Sequence, residues 1–271
     1  MPEGDTVWRA ARALHDALSG AVLTRAELRV PRFATAELTG RRVRETTPRG
    51  KHLLTRLDGG LTLHTHLGMS GAWRLARAGG RPSGGPGHEI RVLLATEERV
   101  AAGFRLPVVE LLRTAEEDTA VGHLGPDLLG PDWDASEATR RLLAEPARPI
   151  GEALLDQRNL AGVGNVYRAE LCFMARLAPW TPVGEVPDVR RLVELAHRLL
   201  TVNRDRALRC TTGEPRRDRA LWVYGRAGRP CRRCGGRVVV EQQGPADRLR
   251  PVYWCPRCQD APVPGAGGGG Y

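Results

Sequence analysis

An α+β fold in two parts is predicted by three observations. A single helical repeat opens the chain, a series of short apolar runs at strand spacing follows it to about residue 118, and helical periodicity then takes over before a cysteine-rich close. Several short strands at close spacing point to a sandwich or barrel. The expected architecture is therefore an N-terminal β-sandwich with a leading helix, followed by a C-terminal helical domain that ends in a β-hairpin.

In the leading helix Val7, Trp8, Ala11, Leu14 and Leu18 repeat at helical spacing, and Asp5 stands where an N-cap is expected. Strand-like runs follow near 21–30, 41–47, 51–57, 61–67, 72–76, 89–96 and 108–113. Leu57-Asp58-Gly59-Gly60-Leu61 reads as a hairpin turn between two of them, and 77–88, rich in Gly and Pro, reads as a loop. Residues 119–131 hold Gly122, Gly125, Pro126, Gly130 and Pro131 and read as a hinge. Helical candidates are 135–145, 149–157, 165–176 and 188–202, with the turn Leu160-Ala161-Gly162-Val163-Gly164-Asn165 joining the second to the third. The expected segments are thus 1–118, a linker 119–131, a helical domain 132–221, a cysteine module 222–260 and a disordered tail 261–271 with four glycines in a row.

The chain has 271 residues and a formal charge of +10. That balance suits a polyanionic partner, with nucleic acid first and an anionic membrane second. The basic residues are spread along the chain and form no amphipathic basic helix, which disfavours the membrane. No apolar run approaches the roughly 20 residues a bilayer span needs. The segment from Thr6 to Leu18 carries Arg9, Arg12 and Asp16, unlike a signal peptide. The cytoplasm is the expected location. Of the 41 basic residues, Lys51 is the single lysine. Arginine does not release its proton in proteins whereas lysine can, so Lys51 is a candidate for proton transfer.

Cys231-Arg232-Arg233-Cys234 and Cys255-Pro256-Arg257-Cys258 are separated by twenty residues. Two paired Cys-x-x-Cys motifs at this distance fit a four-thiolate Zn²⁺ site better than a redox dithiol. Arg237 to Gln242 and Pro251 to Trp254 between them look like two strands, so the module is expected to be a zinc-pinned hairpin. Four cysteine ligands leave no open position, which makes the ion structural, one per chain. Cys172 lies in an apolar helical run and is expected to be buried and inert, and Cys210 has no assignable role.

At the other end, removal of Met1 would expose the secondary amine of Pro2. An α-amino group has a pKa near 8, so roughly a tenth of it is neutral at pH 7, against less than a thousandth of a lysine. A neutral amine can attack an electrophilic sugar carbon and form an iminium. Pro2 also precedes a helix N-terminus, whose dipole disfavours the protonated amine, and Glu3 beside it can carry a proton.

In this setting the opening Met1-Pro2-Glu3-Gly4-Asp5-Thr6-Val7 resembles that of the formamidopyrimidine-DNA glycosylase / endonuclease VIII family. The likeness continues at Arg49-Gly50-Lys51-His52-Leu53-Leu54, at His66-Leu67-Gly68-Met69-Ser70-Gly71 and at His123-Leu124-Gly125-Pro126-Asp127-Leu128-Leu129. Leu154-Leu155-Asp156-Gln157 with Gly162-Val163-Gly164-Asn165-Val166-Tyr167 resembles the family's helix-two-turn-helix, and Arg250-Pro251-Val252-Tyr253-Trp254-Cys255 the end of its zinc hairpin. The resemblance covers about residues 1–260 and is nearest the endonuclease VIII side, in the subgroup found in high-G+C bacteria.

The resemblance implies a role for each matching residue. Pro2 is the Schiff-base nucleophile at C1′ of a flipped nucleotide, and Glu3 the proton donor and shuttle. Lys51 assists β-elimination and touches phosphate, and Arg250 grips phosphate and assists δ-elimination. Asn165 binds phosphate, a role that backbone amides at a helix N-terminus suit independently. His123 matches a DNA-contacting position, with a plain surface histidine as the alternative, and Met69 a residue that fills the gap in the base stack, with core filling as the alternative. His64 and His66 alternate on one strand and are read as structural or DNA-facing.

Two departures stand out. Thr6 occupies a position where many relatives carry a second Glu. Ala101-Ala102-Gly103-Phe104-Arg105-Leu106-Pro107 replaces the Asp-Pro-Arg-Arg-Phe-Gly run of the formamidopyrimidine branch, so the wedge into the opposite strand is altered. That points to oxidised pyrimidines in duplex, single-stranded or bubble DNA. The expectation is a monomeric, nucleoid-associated glycosylase and AP lyase in base excision repair, working in a basic cleft between its two domains. A catalytically weak lesion or single-strand binder on the same scaffold is the alternative.

Overall fold

Helix α1 (Gly4–Leu18) turns one face inward, with Val7, Ala11, Leu14 and Leu18 buried, and so needs a surface to cover. In the computed structural model, which describes residues 1–259, that surface is a β-sandwich. The expected tail at 261–271 lies outside the described residues. The described chain divides into two compact units, Met1–Leu124 and a second that begins at Gly125, a division that falls inside the expected linker 119–131. No helix among the described residues is long and apolar enough to cross a membrane.

The first unit holds β1 (Arg25–Leu28), β2 (Val43–Arg49), β3 (His52–Leu57), β4 (Leu61–His66), β5 (Ala72–Arg77), β6 (Ile90–Ala95), β7 (Arg99–Phe104) and β8 (Val108–Arg113). They form two antiparallel four-stranded sheets, in the orders β2-β3-β4-β8 and β1-β6-β7-β5. Leu53, Leu63 and Val109 from one sheet meet Trp73, Val92 and Leu94 from the other in a single core with α1. Each such side chain contributes about 1.5–3 kcal/mol when fully buried, an upper bound. The β3–β4 hairpin closes through Gly59 and Gly60 at φ 81° and 67°, backbone that side chains resist.

Two local expectations are corrected. The N-cap of α1 is Glu3, whose carbonyl oxygen accepts from the amides of Thr6 and Val7 at 2.9 and 3.0 Å. Asp5 lies inside the first turn, fully buried, and accepts from the Thr6 amide at 2.7 Å. The stretch from Ala101 to Phe104, expected as loop, is the body of β7, central in its sheet between β5 and β6. Small residues there are demanded by space. A Cβ on Gly103 would stand 2.5 Å from Leu106 and 3.3 Å from the Trp73 ring.

After β8, a short helix α2 (Asp118–Val121) leads out of the unit. Glu117, just before it, accepts from Arg56 Nε and Nη2 at 2.8 and 2.7 Å and from the Thr62 hydroxyl at 2.6 Å. This fork ties the exit of the unit to strands β3 and β4.

The second unit contains α3 (Ala135–Leu143), α4 (Ile150–Ala153), α5 (Asn165–Met174) and α6 (Val189–Asn203). Asp134 caps α3 by accepting from the amides of Ser136 and Glu137 at 2.8 and 3.1 Å, and Asp188 caps α6 by accepting from Arg191 at 2.8 Å. Gln157 organises the turn between α4 and α5. Its amide nitrogen donates to the carbonyls of Leu155 and Val163 at 2.8 and 3.0 Å, and its side-chain oxygen accepts from Gly162 at 3.1 Å. Gly162 sits at φ 114°, open only to glycine.

Strands β9 (Val239–Gln243) and β10 (Arg250–Trp254) form the expected hairpin, with Arg250 opposite Gln243. The cysteine module packs on α5, where Ala169 and Phe173 meet Val223, Val238, Cys231 and Cys255. Cys172 is fully buried in α5, and burial pushes its thiol up to about 12, which makes it inert as expected.

Candidate functional site

The residues singled out from the sequence fall into two groups. Pro2, Glu3, Lys51, Met69 and His123 belong to the first unit; Asn165, Arg250 and the four cysteines belong to the second.

Pro2 immediately precedes α1 and is half-buried. Glu3 is fully buried, and as the N-cap residue it makes no side-chain cap bond to the helix. Removal of Met1 would place a secondary amine next to this carboxylate at the positive end of a fifteen-residue helix. The amide of Thr46 on β2 donates to His15 Nδ1 at 3.3 Å, which fastens α1 across the sheet that bears Lys51.

Lys51 occupies the turn between β2 and β3, after Gly50 at φ 57°, and is half-buried. Histidines surround that end of the sheet. His52 faces His66 across β3 and β4, and their ring centroids are 5.0 Å apart. His52 also lies 5.0 Å from His64, stacked, and 6.3 Å from His123, edge-on. His64 Nδ1 lies 2.8 Å from Glu110 Oε2 on β8. His66 Nδ1 accepts from the Gly68 amide at 2.9 Å.

Burial pushes His52 down to about 3, assisted by the positive character of His66, His64, His123 and Lys51. Burial, then Lys51 and His64, hold His66 at about 4. Both imidazoles are therefore neutral at pH 7. The structure brings His123 into the neighbourhood of Lys51, although 72 residues of chain separate the two. Sequence reasoning missed Glu110, which anchors His64 and, through it, His52 in a carboxylate-linked chain.

Met69 is 70% exposed, the most open large apolar side chain among the described residues, so core filling is excluded for it. The loop that displays it is tight. A Cβ on Gly68 would stand 2.6 Å from Pro107, and one on Gly71 would stand 2.3 Å from the Leu67 carbonyl oxygen. Phe104, by contrast, is buried among Leu93 and Ala102, and Arg105 pairs with Glu89, so neither is displayed as Met69 is.

In the second unit, Asn165 is the first residue of α5, and the helix has no side-chain cap. The Asn165 side chain is 2% exposed and already engaged: its Nδ2 donates to the Pro251 carbonyl at 2.7 Å. Structure therefore joins Asn165 to the residue after Arg250. Arg250 itself is exposed.

The cysteine pairs converge. Cys231 and Cys258 Sγ are 3.8 Å apart, Cys234 and Cys255 Sγ are 3.5 Å apart, and all four lie within 4.8 Å of one another. A tetrahedral ion with metal–sulfur bonds of about 2.3 Å requires sulfur separations of about 3.8 Å, so these thiols fit Zn²⁺. Theirs is the one metal-competent group of this kind among the described residues, and the histidine cluster forms none.

Comparison with known proteins agrees with this layout. Residues 1–106 match the formamidopyrimidine-DNA glycosylase N-terminal domain, and residues 124–204 match the formamidopyrimidine-DNA glycosylase H2TH domain. A Streptomyces coelicolor protein named probable endonuclease 8 2 is 63% identical over 99% of this chain and 97% of its own. A Mycolicibacterium smegmatis protein named DNA-(apurinic or apyrimidinic site) lyase Nei2 is 49% identical over 96% of this chain and all of its own. Among solved structures, Lactococcus lactis Fpg in complex with abasic-site DNA superposes with a TM-score of 0.79 at 22% identity, covering 96% of this chain and all of that one, which shows the shared fold.

Proposed function

The chain belongs to the formamidopyrimidine-DNA glycosylase / endonuclease VIII family, and from that premise we propose a chemistry for its first-unit site. It is a DNA glycosylase and AP lyase of DNA repair. The observation that carries the finer reading is the pairing of Pro2 with a wholly buried Glu3 at the start of α1.

Once Met1 is removed, the neutral Pro2 amine attacks C1′ of a nucleotide extruded from the stack, the C1′–N glycosidic bond breaks, and the damaged base leaves with the proton that the amine gives up. Glu3 supplies the proton for opening the sugar and leaves the strand attached to Pro2 as an iminium. The iminium acidifies C2′, and with Lys51 assisting, β-elimination breaks the C3′–O bond. A second elimination, assisted by Arg250, breaks C5′–O and leaves phosphates at both ends of the gap. Asn165 and Arg250 bind backbone phosphate, Met69 fills the space of the extruded base, and His123 contacts the DNA. Oxidised pyrimidines in duplex, single-stranded or bubble DNA are the favoured lesions, since Ala101 to Pro107 lack the Asp-Pro-Arg-Arg-Phe-Gly run of the formamidopyrimidine branch.

The four cysteines hold one structural Zn²⁺, which stabilises the hairpin bearing Arg250. The functional segments are 1–118, 119–131, 132–221 and 222–260, and the protein works as a cytoplasmic, nucleoid-associated monomer.

Borohydride reduction tests the nucleophile. Processed protein incubated with abasic-site DNA gives a reducible covalent adduct, and Pro2→Gly or an N-terminal extension abolishes it. An adduct that survives both changes removes Pro2 from the mechanism. A protein that binds lesion DNA without forming any adduct is the non-catalytic alternative.

A further inference from the structure

Arg168 stands one turn into α5, three residues after Asn165, with no exposed surface. A guanidinium keeps its charge at every physiological pH, so burying one is costly unless its donors are used. This one spans three elements. Nη2 donates to Asn165 Oδ1 and to the Pro251 carbonyl, the latter at 2.9 Å, and Nη1 donates to Gln243 Oε1 at 3.2 Å. Gln243 is itself pinned, its Nε2 donating to the Pro179 carbonyl at 2.8 Å.

These three acceptors bracket Arg250. Gln243 is the cross-strand partner of Arg250, and Pro251 is its neighbour along β10. Pro251 has no amide hydrogen, so that position of the two-stranded sheet has a carbonyl and nothing to donate. The carbonyl takes two donors from α5, Asn165 Nδ2 and Arg168 Nη2. The Arg250 side chain is exposed while the carbonyl of the next residue, Pro251, and the side chain of its cross-strand partner, Gln243, are both held by α5.

The geometry points to Arg168 as a positioning residue that locks the α5 N-terminus and the exposed Arg250 into one rigid phosphate-binding surface. The inference rests on the reading of Asn165 and Arg250 as phosphate-binding groups. Arg168 touches no phosphate in this scheme. It acts through Asn165, Gln243 and Pro251, and its planar fork is what lets one side chain reach all three. Lysine keeps the charge and loses the fork.

The test uses the full zinc-loaded chain and a duplex oligonucleotide with one abasic site. Arg168→Lys and Arg168→Met are each expected to weaken binding by about tenfold or more, because a phosphate-binding group displaced by an ångström loses most of its effect. Adduct formation at saturating DNA is expected to stay near wild type, since Pro2 belongs to the other unit. In a double-mutant cycle, Arg168→Met combined with Arg250→Ala is expected to lose clearly less binding than the sum of the two single losses, because part of the Arg168 effect runs through Arg250. A merely structural role would lower the active fraction, leave the affinity of that fraction unchanged, and give additive effects.

Asn165→Ala and Arg250→Ala separate the two possible failures. If both bind as wild type, the phosphate-binding reading falls. If both weaken binding while the Arg168 variants keep wild-type affinity, the positioning role falls and the reading stands. Should both Arg168 variants fail to retain zinc, Gln243→Ala decides in the same assay, because it removes the β9 arm of the clamp, with the bond to Pro179, and leaves Arg168 and its bonds to Asn165 and Pro251 in place. Unchanged affinity there refutes the inference, and a several-fold loss supports it.

Discussion

His52 Nδ1 lies 2.8 Å from Nε2 of His64, and the far side of that pair is anchored by a carboxylate. The Glu110 carboxylate can only accept, so His64 Nδ1 must donate to it across 2.8 Å. The other ring nitrogen of His64, Nε2, faces His52. Carboxylate, imidazole and imidazole form one chain across β8, β4 and β3, ending beside the protein's single lysine.

Stability should fall on mild acidification. His52 at about 3 and His66 at about 4 both titrate below the ordinary histidine value of about 6.5. The unfolded state therefore takes up protons first as pH falls below 6.5, so the contribution of these histidines is intact above that pH and is lost progressively below it. Between pH 7 and pH 5 the loss should be on the order of 1 kcal/mol per histidine, lowering Tm by roughly 5 °C or more. Scanning calorimetry should show a flatter dependence in His52→Gln. A wild-type Tm that is level over this range would contradict the buried, neutral assignment.

Removing Glu170 should be severely destabilising. This fully buried carboxylate accepts from the amides of Trp222, Val223 and Tyr224 at 2.8, 2.9 and 2.9 Å and from the Thr211 hydroxyl. Glu170→Ala orphans three backbone donors and should cost about 3 kcal/mol or more. Urea unfolding measures the cost, and hydrogen exchange should quicken at 222–224. A variant within about 0.5 kcal/mol of wild type would show that the carboxylate holds nothing in place.

Metal removal should release the hairpin. One equivalent of zinc is expected per chain. Chelation or Cys255→Ser should expose Trp254, now buried and packed edge-on against Trp180 at 5.2 Å, and shift its fluorescence to the red. Affinity for abasic DNA should fall with it, since Arg250 leads the same strand. Unchanged fluorescence after complete removal of the ion would mean the hairpin holds itself together.

Lys51→Arg keeps the positive charge and removes the group that can give up a proton. Strand cleavage should slow by about 10²-fold or more, while borohydride trapping with Pro2 persists. Equal cleavage rates in variant and wild type would reduce Lys51 to a phosphate contact.

Much of the fold was legible because helices and hairpins are written in short spacings. The run from Val7 to Leu18, the turn at Gly59-Gly60 and the start of α5 at Asn165 all depend on residues within a few positions of one another. Strand β7 was not legible. Its Ala101-Ala102-Gly103 core has weak strand preference and is extended because both of its edges are paired, to β5 and to β6. The cap of α1 was displaced for a similar reason: Asp5 has capping chemistry but is drawn into the buried first turn, and Glu3 takes its place.

The candidate site divides along the same line. Its members could be named from one-dimensional patterns: an amine at Pro2, a lone lysine at Lys51, and two cysteine pairs whose spacing presupposes a common ion. Their partners could not. Glu110 reaches His64 through the register of β4 on β8, and Arg168 reaches Gln243 and Pro251 through the packing of a helix on a hairpin some 75 residues away. Side-chain chemistry and local periodicity are properties of the chain. Which groups meet across strands is decided when buried surfaces close on one another, because only then must every buried donor find its acceptor.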